Sequence, residues 1–232
     1  MERQGRGFMR LVLRVGGSVV ASPINPELIE DYTILLKNLK EQGNELAVVV
    51  GGGSLARKFI TVARQLGLNE RVQDEVAISV SRILGYLFVQ KLGDLSCCAV
   101  PLTIEDAVRC FRQGKIVVMG GLEPGMTTDT VAALIGERVQ ADLLIKATDQ
   151  EGIYSEDPRK NADAIRLEQL SFENLWKVLA ENKHRAGIHQ VLDPEAVKIL
   201  EKQHMRIIVV NGFETENISA AVRGEKVGTI IQ

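Results

Sequence analysis

The sequence predicts an α/β fold, a three-layer α/β/α sandwich around a mainly parallel sheet. Short apolar runs recur at residues 8–15, 46–50, 97–100, 115–119, 143–146, 206–210 and 228–231. Segments with helical spacing lie between most of these runs, and strands that alternate with helices are typical of βαβ units. We find no internal repeat and no linker in the sequence. We therefore expect one domain over residues 9–232, after a loose polar extension at residues 1–8.

Four helices are marked by their apolar stripes or by their ends. The first helix has an apolar stripe that begins near Glu27, and the helix ends at Gly43, a residue type common at helix ends. A second stripe begins at Asp74, and this apolar helix either packs in the core or forms a subunit interface. Thr103 and Ser171 are suited to cap the starts of two further helices.

Composition limits the class of protein. The chain has 232 residues, of which 45% are hydrophobic and 25% charged, and its net charge is −2. These values are typical of a soluble globular protein and argue against a nucleic-acid binder. No apolar run approaches the ~20 residues of a membrane helix, so we expect no membrane association. We expect Cys97, Cys98 and Cys110 to be reduced core residues of a cytoplasmic protein.

Glycine turns follow the first two predicted strands. Gly51, Gly52 and Gly53 follow the run 46–50, with Arg57 beyond them, and Gly16, Gly17 and Ser18 follow Arg14 in the same way. A turn between strand and helix needs only one glycine, whereas several allow backbone amides to approach an anion at a helix start. The pattern therefore favours phosphate sites, although for either arginine alone a solvated surface position is the default interpretation.

Two later segments add polar groups at predicted strand ends. Gly121 and its neighbours precede Thr127, Thr128 and Asp129, which is more polar groups than one helix cap requires. Lys146 and Thr148 end another strand, and a turn then leads through Gly152 and Tyr154 to Asp157 and Pro158. Tyr154 is suited either to bound a purine ring or to cover the core. The sequence lacks a P-loop, a dinucleotide fingerprint, a hydrolase triad and a spaced metal motif.

Together these motifs resemble the amino acid kinase superfamily, and within it the UMP kinases of the archaeal type. The matching segments are 15–18, 50–57, 120–129, 152–158 and 192–194, in this order. The resemblance implies a mainly parallel sheet of about eight strands and transfer of a phosphoryl group from Mg·ATP to UMP. It also implies a homohexamer built from dimers, with Mg²⁺ carried by the ATP phosphates. Residues 9–140 would form roughly the acceptor half and residues 141–232 the ATP-binding half.

The resemblance also implies a role for each matched residue. The residues at the reacting phosphates would be Arg14 and Asp193, although Asp193 before Pro194 is also typical of a helix cap. The residues that bind ATP would be Gly16, Gly17, Ser18, Lys146, Thr148, Gly152, Tyr154, Asp157 and Pro158. The residues that bind UMP would be Gly51, Gly52, Gly53, Arg57, Asp74, Arg82, Gly121, Thr127, Thr128 and Asp129.

Several positions depart from the family pattern. Arg14 stands where most relatives carry Lys, Leu84 replaces a polar Asn, and Asp149, Gln150 and Glu151 alter the ATP-side motif. Two alternatives therefore stay open. One is a kinase of this fold that acts on isopentenyl phosphate, acetylglutamate or carbamate, and the other is a non-catalytic nucleotide or oxyanion binder resembling molybdenum storage proteins.

Overall fold

The computed structural model describes residues 8–156, 158, 160, 161, 163–183 and 192–232, without the side chains of residues 181–183. The strands are β1 Arg10–Val15, β2 Glu45–Val50, β3 Val117–Met119, β4 Leu143–Thr148, β5 Ile153–Tyr154, β6 Arg166–Leu167, β7 Gln169–Leu170, β8 Arg206–Asn211 and β9 Thr229–Ile231. The α-helices are α1 Gly17–Val20, α2 Pro26–Glu41, α3 Gly53–Gln65, α4 Glu70–Leu92, α5 Ile104–Arg112, α6 Thr128–Val139, α7 Phe172–Lys183, α8 Pro194–Lys202 and α9 Glu216–Val222.

The central sheet has seven strands in the order β3, β2, β1, β4, β8, β9, β7. The first five of these are mutually parallel, whereas β9 runs antiparallel to β8 and parallel to β7. Strands β5 and β6 form a separate antiparallel hairpin. The expected sheet is thus confirmed as mostly parallel, with seven strands among the described residues.

Alternate residues of each strand build the two outer layers. Leu13 and Ile145 point to the face covered by α1, α2, α4 and α9, whereas Val12 and Leu144 point to the face covered by α5, α6, α7 and α8. Both faces are apolar because a parallel sheet of this type is buried between two helix layers. This arrangement confirms the three-layer sandwich.

The run 97–100 is not a strand, and the prediction of one there is wrong. In this region only Ser96 forms an isolated bridge, to Ile116 beside the start of β3. Cys97 is joined in a disulfide to Cys110, whose Cα lies 6.2 Å away, and Cys98 is exposed. The expectation of three reduced core cysteines is therefore also wrong. Sequence spacing gave no sign of the pairing, because Cys110 approaches Cys97 only when α5 packs beside β3.

The predicted helix starts and ends agree well with the structure. Thr103 caps α5 by accepting a hydrogen bond from the Asp106 amide, and Gly43 follows α2 with a positive φ of 92°. The second striped helix begins at Glu70, a little before the expected Asp74, where Asn69 caps it. The side chain of Asn69 accepts from the Val72 amide, which stabilises a free N–H of the first turn.

Helix α4 and the turn after it, residues 70–95, are long and apolar enough to cross a membrane by length and composition alone. The helix packs against α2, α3, β2 and β3, with Leu84 and Phe88 fully buried. Such packing is typical of the core helix of a globular protein. Its other side leaves Ile83 and Tyr86 exposed.

Candidate functional site

A cleft of about 700 Å³ opens at the carboxyl ends of the parallel strands. Parallel sheets place the turns that follow their strands at one edge, where ligands bind. The residues that line the cleft are Arg14, Gly17, Ser18, Ser22, Gly51, Gly52, Gly53, Arg57, Thr128, Asp129, Lys146, Thr148, Asp149, Gln150, Gly152 and Phe213. Three of these side chains are cationic and two are carboxylates, so the described wall favours an anionic ligand.

The two glycine turns after β1 and β2 lie in direct backbone contact. A Cβ on Gly17 would lie 2.0 Å from the nitrogen of Gly53, and one on Gly53 would lie 2.0 Å from the oxygen of Gly17. Gly53 also has a positive φ of 59°, a conformation that side-chain-bearing residues rarely adopt. Glycine is therefore required here to pack two turns together and to expose their backbone to the cleft. Gly16 lies beneath this surface, where its amide donates to the oxygen of Ala147 at 2.8 Å.

Strand register brings Arg14 and Lys146 side by side. The two residues are paired on the neighbouring strands β1 and β4, so their side chains leave the same face of the sheet. Like charges at such positions repel one another. Helix α6 begins over this face and supplies Asp129, whose Oδ1 lies 2.7 Å from Arg14 Nε and whose Oδ2 lies 2.5 Å from Lys146 Nζ. We call Arg14, Asp129 and Lys146 the charge triad.

Burial and charge act against each other in this triad. Burial raises the pKa of Asp129, but the Arg14 and Lys146 cations lower it by more, so it stays below its usual value. Burial lowers the pKa of Lys146, and Arg14 lowers it further, against the opposing effect of Asp129. The triad carries a net positive charge when all three groups are ionised. It can therefore stabilise a further negative charge in the cleft.

The start of α6 is fixed by hydrogen bonds from two directions. Thr127 caps the helix by accepting from the Thr130 amide at 3.1 Å. The hydroxyls of Thr127 and Thr130 both donate to Asp193 Oδ2, and Asp193 itself caps α8. On the cleft side, Arg14 Nη2 donates to Thr128 Oγ1 at 3.0 Å. Asp193 thus contacts the turn that carries Asp129, without lining the cleft itself.

Helix α4 supports the loop between β3 and α6. Arg82 Nε donates to the oxygen of Gly121 at 2.9 Å, and Asp74 Oδ2 accepts from the amide of Gly125 at 2.8 Å. Gly121 is buried against Ile78. Arg82, Asp74 and Gly121 therefore position this loop, and none of them lines the cleft.

The opposite wall of the cleft comes from the ends of β4 and β8. Thr148, Gly152 and Phe213 line it, and Phe213 is 49% exposed. The two strand ends are neighbours, since the Gly212 amide donates to the Thr148 oxygen at 2.7 Å. Tyr154 lies on β5 of the β5–β6 hairpin and does not line the cleft. Pro158, which follows β5 in the chain, does not line the cleft either. Asp157 lies outside the described residues.

Residues 9–211 match the family described as the amino acid kinase family. The chain belongs to the amino acid kinase family. It is 40% identical over 228 residues to the uridylate kinase of Sulfurisphaera tokodaii, covering 97% of this chain and 99% of that protein. It is 38% identical over 226 residues to that of Methanocaldococcus jannaschii, covering 97% of this chain and 100% of the relative. The uridylate kinase structure from Archaeoglobus fulgidus matches with a TM-score of 0.87 and 36% identity, over 97% of this chain and 100% of that one.

The cleft of this amino acid kinase unites most of the predicted phosphate-binding residues. Sequence reasoning missed Ser22, Asp149, Gln150 and Phe213, which also line it. The sequence identified Asp149 and Gln150, with Glu151, only as departures from the family pattern and not as residues of the site. Phe213 had no motif around it, although its place in the turn Asn211-Gly212-Phe213 after the apolar run 206–210 was a usable signal.

In the part of this amino acid kinase that the structure describes, no cluster of side chains is suited to bind a metal ion by itself. No three His, Cys, Asp or Glu side chains there are arranged to hold an ion. Both oxygens of Asp129 face cations, and Asp193 is engaged with α6 and α8.

Proposed function

We propose that this amino acid kinase is a uridylate kinase, which transfers the γ-phosphoryl group of ATP to UMP and forms ADP and UDP. One observation carries the proposal: two touching glycine turns and the charge triad share one cleft, in a chain whose full-length relatives are named uridylate kinases. Phosphoryl transfer brings two polyanions together, and a site of backbone amides and cations is suited to that task.

The two turns divide the substrates between them. We propose that Gly51, Gly52, Gly53 and Arg57 bind the UMP phosphate and that Gly16, Gly17 and Ser18 lie along the ATP phosphates. In this view residues 9–140 serve mainly UMP and residues 141–232 mainly ATP. Contact between Gly17 and Gly53 supports the division, because the two phosphates would then meet between adjacent turns.

The charge triad serves the reaction itself. An oxygen of the UMP phosphate attacks the γ-phosphorus, the bond to the ADP oxygen breaks, and no general base is required because the nucleophile is already anionic. Arg14 and Lys146 would stabilise the charge that develops on the transferred group, and Asp129 would hold both cations in place. Asp193, Thr127 and Thr128 would fix Asp129 by holding the start of α6. Mg²⁺ bound to ATP would neutralise part of the phosphate charge.

The remaining assigned residues would bind the nucleosides. Thr148, Gly152, Tyr154, Asp157 and Pro158 would surround the ATP base and ribose. Asp74, Arg82 and Gly121 would support the acceptor side through the loop before α6, as their contacts with that loop favour.

We further propose a cytoplasmic homo-oligomer, a hexamer built from dimers. Large apolar side chains are exposed on α3, at the residue that follows it and on α4, a pattern typical of protein interfaces. These side chains are Phe59, Val62, Leu66, Ile83, Tyr86 and Leu87. A measured mass of the assembly in solution equal to about six chains would support the hexamer.

A coupled assay tests the activity. Purified protein with ATP, Mg²⁺ and UMP is expected to form ADP and UDP, with CMP as a parallel acceptor. Use of ATP with isopentenyl phosphate, acetylglutamate or carbamate, but not with UMP, would replace the proposal by another kinase of this fold. Tight ATP binding without transfer to any acceptor would favour a nucleotide-binding protein.

A further inference from the structure

The hydroxyl of Thr229 joins the β5–β6 hairpin to the central sheet. Thr229 is the first residue of β9 and is fully buried. Its Oγ1 accepts a hydrogen bond from the Ile153 amide at 2.8 Å and donates one to the oxygen of Leu167 at 2.5 Å. Ile153 and Leu167 are paired on the two strands of the hairpin. One side chain therefore holds both strands at the base of the hairpin.

This contact lies directly behind the wall of the cleft. Gly152, which lines the cleft, precedes Ile153, and a Cβ on Gly152 would lie 2.5 Å from Thr229 Oγ1. Glycine at this position lets the hydroxyl approach the backbone of the turn. On its other side, Thr229 pairs with Val209 of β8, the strand whose end leads to Phe213. The residue thus joins the turn at Gly152 to β9 and, through the pairing of β9 with β8, to the strand that precedes Phe213.

We infer that Thr229 is a positioning residue for the donor nucleotide. Its hydroxyl sets the position of the turn at Gly152 and of the hairpin that carries Tyr154. The hairpin shares no strand ladder with the seven-stranded sheet within the described residues, but β6 continues through Glu168 into β7 of that sheet, and the Glu168 oxygen accepts from the Ile230 amide at 3.0 Å. The Thr229 hydroxyl adds a contact that also reaches the β5 side of the hairpin, where Gly152 and Ile153 lie. The inference rests on the proposed function, which assigns the ends of β4 and β8 to ATP.

The competing interpretation is an ordinary buried threonine that affects only stability. Thr33 provides the matched control, because it is also fully buried and its hydroxyl also donates to a backbone oxygen, that of Glu30 within α2. A stability role predicts similar behaviour of the two residues. A positioning role predicts a change in ATP binding for Thr229 alone.

The experiment compares Thr229→Val, Thr229→Ser and Thr33→Val in the full chain. Loss of the hydroxyl leaves the Ile153 amide without its partner, so the turn at Gly152 is expected to leave its position in the free enzyme. Restoring the turn when ATP binds, at a cost of about 1–3 kcal/mol, corresponds to roughly a fivefold to hundredfold rise in the KM for ATP. Thr229→Val is therefore expected to raise KM for ATP at least about fivefold, with KM for UMP within about twofold. Thr229→Ser, which keeps the hydroxyl, is expected to restore the KM for ATP. Thr33→Val is expected to lower Tm and leave both KM values unchanged.

A Thr229→Val protein whose KM for ATP stays within about twofold of the wild type, in an active enzyme, would overturn the inference. If that variant does not fold, Thr229→Ala gives the same readout and the same criterion. If the wild type does not phosphorylate UMP, the proposed function fails separately. The Kd of a non-hydrolysable ATP analogue for each variant then tests Thr229, and an unchanged Kd would overturn the inference.

Discussion

Replacing Asp129 by Asn removes the carboxylate that two buried cations share. The side chains of Arg14, Asp129 and Lys146 are 17%, 9% and 7% exposed, so water replaces little of the lost attraction. Removing one partner from a buried ion pair costs about 3–5 kcal/mol. For a chain of this length, about 1 kcal/mol shifts Tm by 2–4 °C, so Tm is expected to fall by roughly 6–20 °C.

The pH dependence of this loss follows from the two lowered pKa values. The pKa of Asp129 is lower in the folded chain, so its stabilising effect is complete above about pH 4 and is lost as pH falls through the folded pKa. The difference between wild type and Asp129→Asn should therefore shrink in acid. Without Asp129 the lowered pKa of Lys146 falls further, and the folded state then binds fewer protons than the unfolded state. The variant should consequently gain stability relative to the wild type as pH rises towards about 10.

Urea unfolding measured across this pH range tests both statements. Asp31→Asn, an exposed position on α2, is the control and is expected to change stability by less than about 0.5 kcal/mol. An Asp129→Asn protein within about 1 kcal/mol of the wild type at neutral pH would refute the reasoning, because Arg14 and Lys146 would then not depend on this carboxylate.

Three further outcomes are expected. Arg57→Ala should raise KM for UMP severalfold or more, because a charge-assisted phosphate contact is lost. Lys58→Ala, at the neighbouring exposed position, should leave this KM unchanged. Equal effects of the two substitutions in steady-state kinetics would count against a role of Arg57 in binding the acceptor. Gly53→Ala should lower Tm, since its φ is 59° and its Cβ would lie 2.0 Å from a backbone oxygen, whereas Gly67→Ala, at a φ of 74° in open space, should cost only the backbone strain. Asp193→Ala should lower kcat more than either KM and cost about 1 kcal/mol in thermal unfolding through the lost helix cap; an unchanged kcat would contradict its role at α6.

Local patterns made the layers and the helix ends predictable. Apolar runs identified β1, β2, β4 and β8, and single side chains such as Thr103 marked helix starts, because these features depend on neighbours in the chain. The run 97–100 was apolar for another reason. It passes beside β3 and is joined to α5 by a disulfide, and neither contact is visible in sequence spacing.

The sequence predicted which residues lie at the candidate site but not which of them contact one another. Glycine turns at strand ends identified the cleft, because backbone approach to an anion demands that residue type. The pairing of Arg14 with Lys146 required the register of two strands more than a hundred residues apart along the chain, which no local pattern contains. The contact of Asp193 with the start of α6 and the place of Phe213 in the cleft wall likewise depend on how helices and strands pack.

Because Gly17 and Gly53 are in contact, a substitution in one of the two turns also affects the other. Each glycine occupies the space that a side chain on the other would need. A substitution at either position must move both turns, and with them the places proposed for both substrates. New acceptor specificity in this chain is therefore expected to arise from side chains around the turns, such as that of Arg57, while the backbone between them stays the same.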